Sequence, residues 1–185
     1  MNRYTAGFLT TFLLCATAGA DENLYLDADP AKCMEGPMAQ FGRYIGDWKI
    51  ADESMKRDGS GWEPGETKRW IFKCIGNGTA VQDFWLPPNG GFGTNLRTYN
   101  PDTEQWDIVW TATNVNGFTK ISAKQNAEGN IVMSIDSPVQ TPPRRIIFYS
   151  PDDGGWNWAM QWSQDEGETW FDVYRITAKP WSDGA

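Results

Sequence analysis

The chain has no histidine in 185 residues. That excludes imidazole zinc sites, the Ser-His-Asp triad and Cys-His catalysis. Cysteine is scarce: Cys15, Cys33 and Cys74. Positive charge is also short, with 16 Lys and Arg against 24 Asp and Glu and a formal net charge of −8. Phosphate backbones and anionic membrane surfaces are poor partners for such a chain, so no nucleic-acid partner is expected. Beyond the first 20 residues no apolar run is long enough to cross a bilayer, so the mature chain should have no membrane span. The glycine-rich stretch Asn89-Gly90-Gly91-Phe92-Gly93 lies between strand-like pieces, not before a helix, which argues against a phosphate-binding loop. Asp152-Asp153 reads as a turn with too few oxygen ligands for calcium. Neither a metal nor a cofactor is expected.

What the chain does have begins with a leader. Arg3 precedes an apolar, small-residue run from Ala6 to Ala20, and Ala18-Gly19-Ala20 fits an A-x-A cleavage site. Residues 1–20 read as a signal peptide, with an uncleaved anchor as the alternative, and the mature protein is expected to be secreted or periplasmic. Cys15 leaves with the leader. Two cysteines in an oxidising compartment suggest a Cys33–Cys74 disulfide. Two free thiols are the alternative, since sequence does not show whether the Cα atoms approach. Residues 21–35 form a polar, irregular arm, and residues 36–180 have the size of one domain with a sizeable core.

The pattern that organises the domain is period two. Trp156, Trp158, Met160 and Trp162 alternate, then a polar turn leads to a second strand from Trp170 through Tyr174 and Ile176. Trp70, Phe72 and Cys74 share one face of an earlier piece, and Trp106, Ile108, Trp110 and Ala112 that of another. Turn residues cut the chain into ten strand-like pieces, over 48–55, 68–75, 79–86, 95–99, 105–113, 118–124, 131–136, 144–149, 156–162 and 170–177. No helical pattern separates them, so parallel crossovers have no material. The expected fold is all-β: an antiparallel up-and-down closed barrel of about ten strands, since closure removes both edges. A two-sheet sandwich is the alternative. A short helix over Pro37–Tyr44, with Met38, Phe41 and Ile45 inward, would lie across one end. Ser163-x-Asp165-x-Gly167-x-Thr169-Trp170 resembles the Asp-box of sialidase-type propellers, but one copy reads as a structural turn.

Gly46-Asp47-Trp48 opens the first strand just after that helix. It resembles the Gly-x-Trp opening of lipocalins and their calycin relatives. The phrases Phe41-Gly-Arg-Tyr-Ile-Gly-Asp-Trp48, Gly78-Thr-Ala-Val-Gln-Asp-Phe-Trp85 and Leu96-Arg-Thr-Tyr-Asn-Pro101 are similar to a group of uncharacterised bacterial lipocalin-like barrel domains. The resemblance implies a barrel with an inner cavity and no particular reaction. It also implies that Trp48 closes one end of the barrel under a stacked arginine, for which Arg175 is the candidate. Some relatives hold haem through histidine, which this chain cannot do.

Polar residues inside apolar strands are the best site candidates, because burial without a partner is costly. Asp83 lies between Val81 and Trp85 on one face, and Arg97 and Tyr99 share a face of the next strand. Asp83 and Arg97 could meet inside, as a structural ion pair or as an anchor for an anionic or carbonyl-bearing ligand, or they could form an outward, solvated pair. Trp110, Trp156 and Trp158 either line a cavity or simply pack the core. Three functions follow. The first is a binder of a small, partly apolar ligand, held by Asp83, Trp85, Arg97, Tyr99, Trp110, Trp156 and Trp158. The second is an isomerase or cyclase with Asp83 as acid/base and Arg97 or Tyr99 stabilising negative charge. The third is an envelope interaction module with exposed tryptophans. The first two need an interior cavity of about 300–1,000 Å³.

Overall fold

A computed structural model describes residues 26–182 apart from 68 and 153. The expected signal peptide and the start of the arm lie outside the described residues. Eleven strands form one antiparallel sheet. They are β1 (Gly46–Met55), β2 (Trp62–Pro64), β3 (Arg69–Ile75), β4 (Ala80–Leu86), β5 (Gly93–Asn100), β6 (Gln105–Ala112), β7 (Thr119–Gln125), β8 (Ile131–Ser137), β9 (Arg144–Phe148), β10 (Trp156–Trp162) and β11 (Phe171–Pro180). From β3 to β11 each strand pairs with the next, and β11 returns to β1 in register from Trp48↔Pro180 to Ser54↔Tyr174. Ten strands thus close a barrel. The sandwich alternative fails, because one sheet closes on itself. β2 is a short flap paired only with the last residues of β1.

Alternation decides which side faces in. In β3, Trp70, Phe72 and Cys74 are buried while their neighbours are half-buried. In β6, Trp106 and Ile108 are buried between exposed Asp107 and Val109. A register slip of one residue would turn these indoles to water, which fixes the pairing.

One end of the barrel is closed. The helix α1 (Ala39–Gly42) follows a 3₁₀ turn over Gly36–Met38. The expected inward face was Met38, Phe41 and Ile45. Phe41 is fully buried, Met38 and Ile45 pack half-buried against the same core, and Tyr44, just past the helix, is fully buried beside them. Phe41 meets Trp106 edge-on at 4.9 Å, and Tyr44 lies 5.3 Å from Trp156. The Tyr44 hydroxyl donates to the carbonyl of Tyr149.

The described part of the arm is more regular than its polarity suggests. A 3₁₀ turn over Pro30–Met34 is capped by Asp29, whose carboxylate accepts from the Ala31 amide at 3.0 Å. Cys33 in that turn is bonded to Cys74 on β3, with Cα atoms 5.9 Å apart. No helix among the described residues is long and apolar enough to cross a membrane.

The β10–β11 connection is the structural turn expected of it. Ser163 Oγ accepts from the Gly167 amide at 2.7 Å, and Asp165 accepts from both the amide and the hydroxyl of Thr169. Glu166 adopts φ +58° and Gly167 φ +101°. The Thr169 hydroxyl, its amide and Ser163 hold the Asp165 carboxyl down at about 2. A depressed carboxylate contributes stability above its unfolded pKa and loses it as pH falls through the folded one. The turn therefore stays bonded at pH 4 and loosens near pH 2. In an NMR titration the Asp165 carboxyl carbon should show a midpoint near 2. A midpoint at the ordinary 3.8 would mean that the turn bonds do not persist in solution.

Candidate functional site

At the end opposite α1 the barrel encloses a cavity of about 550 Å³, open at its mouth. Strand direction places it there. β4, β6, β8 and β10 run away from the closed end, so the loops that follow them rim the mouth. Inward residues make the walls, among them Trp70, Trp85, Trp110, Met133, Ile146, Phe148, Trp158, Met160 and Ile176. Their alternation is what turns an aromatic-rich ribbon into an aromatic-lined chamber.

The floor is polar. Asp83 on β4 and Arg97 on β5 are both 0 % exposed and form an ion pair. Asn95 donates to Asp83 with its amide at 2.9 Å and with its side chain at 3.2 and 3.0 Å. With Arg97, the two carboxylate oxygens accept four hydrogen bonds. The Arg97 guanidinium also lies 4.8 Å over Phe41 and 5.2 Å over Phe72. It plugs the barrel between the closed-end core and the cavity. Its Nε and second terminal nitrogen are buried and find no acceptor among the described residues.

Of the seven ligand candidates, Trp85, Arg97, Trp110 and Trp158 line the cavity. Asp83, Tyr99 and Trp156 do not. Asp83 points inward but sits behind Asn95 and Arg97. Tyr99 packs against Trp106 at 5.6 Å. Trp156 stacks on Phe148 at 5.5 Å, under Tyr44. Two residues of strand span roughly 7 Å, so Tyr99 and Trp156 fall below a floor set by Arg97 and Trp158. The acid/base assignment is corrected too. Asp83 has no lone pair left for a substrate, and Tyr99 is not beside it. The interaction-module reading loses its best anchors, because Trp156 and Trp158 are buried and Trp162 lies half-buried beneath Arg144.

The expected Arg175–Trp48 stack does not form. Arg175 is on the outer face, where it covers Trp62 at 4.0 Å and donates to Glu53 at 2.7 Å. Trp48 is inward, edge-on to Trp156 at 5.7 Å, and its Nε1 donates to the carbonyl of Tyr44 at 2.8 Å. Parity is the reason: Tyr174, Ile176 and Ala178 are the inward residues of β11. Trp48 packs against the core at the closed end, without Arg175 over it.

Two residues that line the chamber were missed, and with them the carboxylate that one of them bonds. Arg144, at the start of β9, lines the mouth and stacks 4.7 Å over Trp162. Tyr174 lines the wall and donates its hydroxyl to Asp52. Burial and that carboxylate push the Tyr174 phenol well above its ordinary range, so it stays protonated. Asp52 is 6 % exposed and its other oxygen has no partner among the described residues. A signal for Asp52 existed, since it continues the inward face of Trp48 and Ile50 as a lone polar residue.

A second depression of about 960 Å³ lies outside the barrel, between residues 64–67 and the strands β1, β10 and β11. Lys49, Lys179 and Arg175 face Glu53, Glu66 and Asp172 there, so its charge is mixed. No group of three or more His, Cys, Asp or Glu among the described residues is placed to hold a metal ion. No protein-family model matches the chain, and no curated protein sequence matches it.

Proposed function

We propose that this is a lipocalin-like carrier that holds a small, partly apolar molecule inside its barrel. The observation that carries the proposal is the aromatic-lined interior chamber of about 550 Å³. Its volume falls within the roughly 300–1,000 Å³ common for small-molecule sites, with few polar groups among many apolar ones. The rim supports the same reading. Phe92, Phe118 and Val139 are 46 %, 72 % and 84 % exposed, and all three lie on loops at the mouth. Apolar side chains there give an apolar ligand a path in. The leader over residues 1–20 and the Cys33–Cys74 disulfide support a secreted or periplasmic location.

The test uses a neutral dye, N-phenyl-1-naphthylamine, whose emission rises in apolar surroundings. The dye should bind at one site with micromolar affinity and quench tryptophan emission. Ile135→Trp puts an indole into the chamber from β8, so it should weaken dye binding about tenfold or more and leave the fold intact by circular dichroism. Equal dye binding by Ile135→Trp would move the site elsewhere. No dye binding to either protein would remove the proposed function.

A further inference from the structure

We infer that the ligand carries a carboxylate and that Arg144 receives it at the mouth of the chamber. This rests on the binding function proposed above and narrows its ligand class. Among the described residues the lining of the chamber contains two arginines and no Asp, Glu or Lys. That is unexpected in a chain with 24 acidic residues against 16 basic ones. Arg97 is matched by Asp83. Arg144 is not matched.

Among the described residues the Arg144 side chain makes no hydrogen bond and no ion pair, and its Nε is buried without an acceptor. Other arginines packed against the barrel differ. Arg43 donates to Gly129 and Ser150, Arg69 to Asp47, Arg145 to Gln161 and Arg175 to Glu53. The contrast with Arg145 is sharpest. It follows directly in sequence, faces outward, and has both its acceptor at 2.7 Å and Trp170 at 4.4 Å. The inward arginine has only its indole, Trp162. A buried guanidinium nitrogen without an acceptor is costly, and a carboxylate would supply one.

The charge class follows from the same arrangement. One uncompensated guanidinium suits one negative charge, and its planar fork matches the two oxygens of a carboxylate. A dianion would keep an unmatched charge inside a chain of net −8. The remainder of the ligand would point down the chamber. Arg144 and Phe148 are four residues apart on the inward face of β9, which is roughly 13 Å of strand. A body of about ten carbon atoms spans that depth.

The experiment measures displacement of N-phenyl-1-naphthylamine by decanoate and by 1-decanol, which share a body and differ in the head. Wild-type protein should release the dye at about tenfold less decanoate than decanol. Arg144→Gln should abolish that advantage while decanol displacement stays unchanged, and Arg144→Lys should keep part of it. The lysine variant retains the charge and still decides the matter if the glutamine variant does not fold. Equal displacement by both compounds in the wild type would overturn the inference and leave the binding function standing. A decanoate advantage that survives Arg144→Gln would overturn the role of Arg144. Failure of the dye to bind at all would end the binding function, and this inference with it.

Discussion

Asp83→Ala should lower the unfolding free energy by about 3–5 kcal/mol, the usual range when one partner of a buried ion pair is removed. The Arg97 guanidinium would then have no acceptor at all, at a position with 0 % exposure. Asn95 would lose its acceptor as well. The three aromatic faces around Arg97 offset part of the cost, since each cation–π contact contributes about 0.5–2 kcal/mol, but they accept no hydrogen bond. Removing both charges should behave differently. Asp83→Leu with Arg97→Met leaves no buried ion, so the double variant should be more stable than Asp83→Ala. Urea unfolding of the three proteins checks this. A loss under about 1 kcal/mol for Asp83→Ala would mean that water reaches the pair. The double variant would also lose the polar floor, so it separates the structural role of Arg97 from any contact with ligand.

The second large effect concerns the disulfide. Cys33 and Cys74 are 41 residues apart, and closing a loop of that length contributes about 4 kcal/mol in the chain-entropy model. Cys33→Ala with Cys74→Ala should lower the unfolding free energy by about that much, and a reductant should do the same to the wild type. The loss should appear first in the arm. The Ala28 amide donates to the Cys74 carbonyl at 2.9 Å, so that bond depends on the same anchor. Identical unfolding curves with and without reductant would show that the cysteines are not bonded in the purified protein.

Much of the fold was legible in the sequence because its elements carry their own period. Trp70, Phe72 and Cys74 could face only one way, and β10 was read to the residue. β2 was not legible: Trp62-Glu63-Pro64 is too short to alternate, and its proline donates no ladder bond. That Asp83 and Arg97 lie on neighbouring strands was legible, and their apolar neighbours made an inward meeting one of the options, with an outward, solvated pair the other. The depth of the pair was not, because register along the barrel axis decides what lies above or below the floor. Tyr99 and Trp156 were misplaced for that reason alone. Arg144 was hidden by its neighbour. Arg144-Arg145 precedes an unbroken apolar run, Ile146-Ile147-Phe148, so alternation there does not say which arginine faces in. Arg175 shows the converse, where a resemblance named a partner that strand parity forbids.

Native mass spectrometry of the protein purified from its own source tests the central claim most directly. The account predicts a species heavier than the bare polypeptide by a few hundred daltons, with the excess lost on denaturation. A single species at the mass of the bare polypeptide, before and after denaturation, would contradict it.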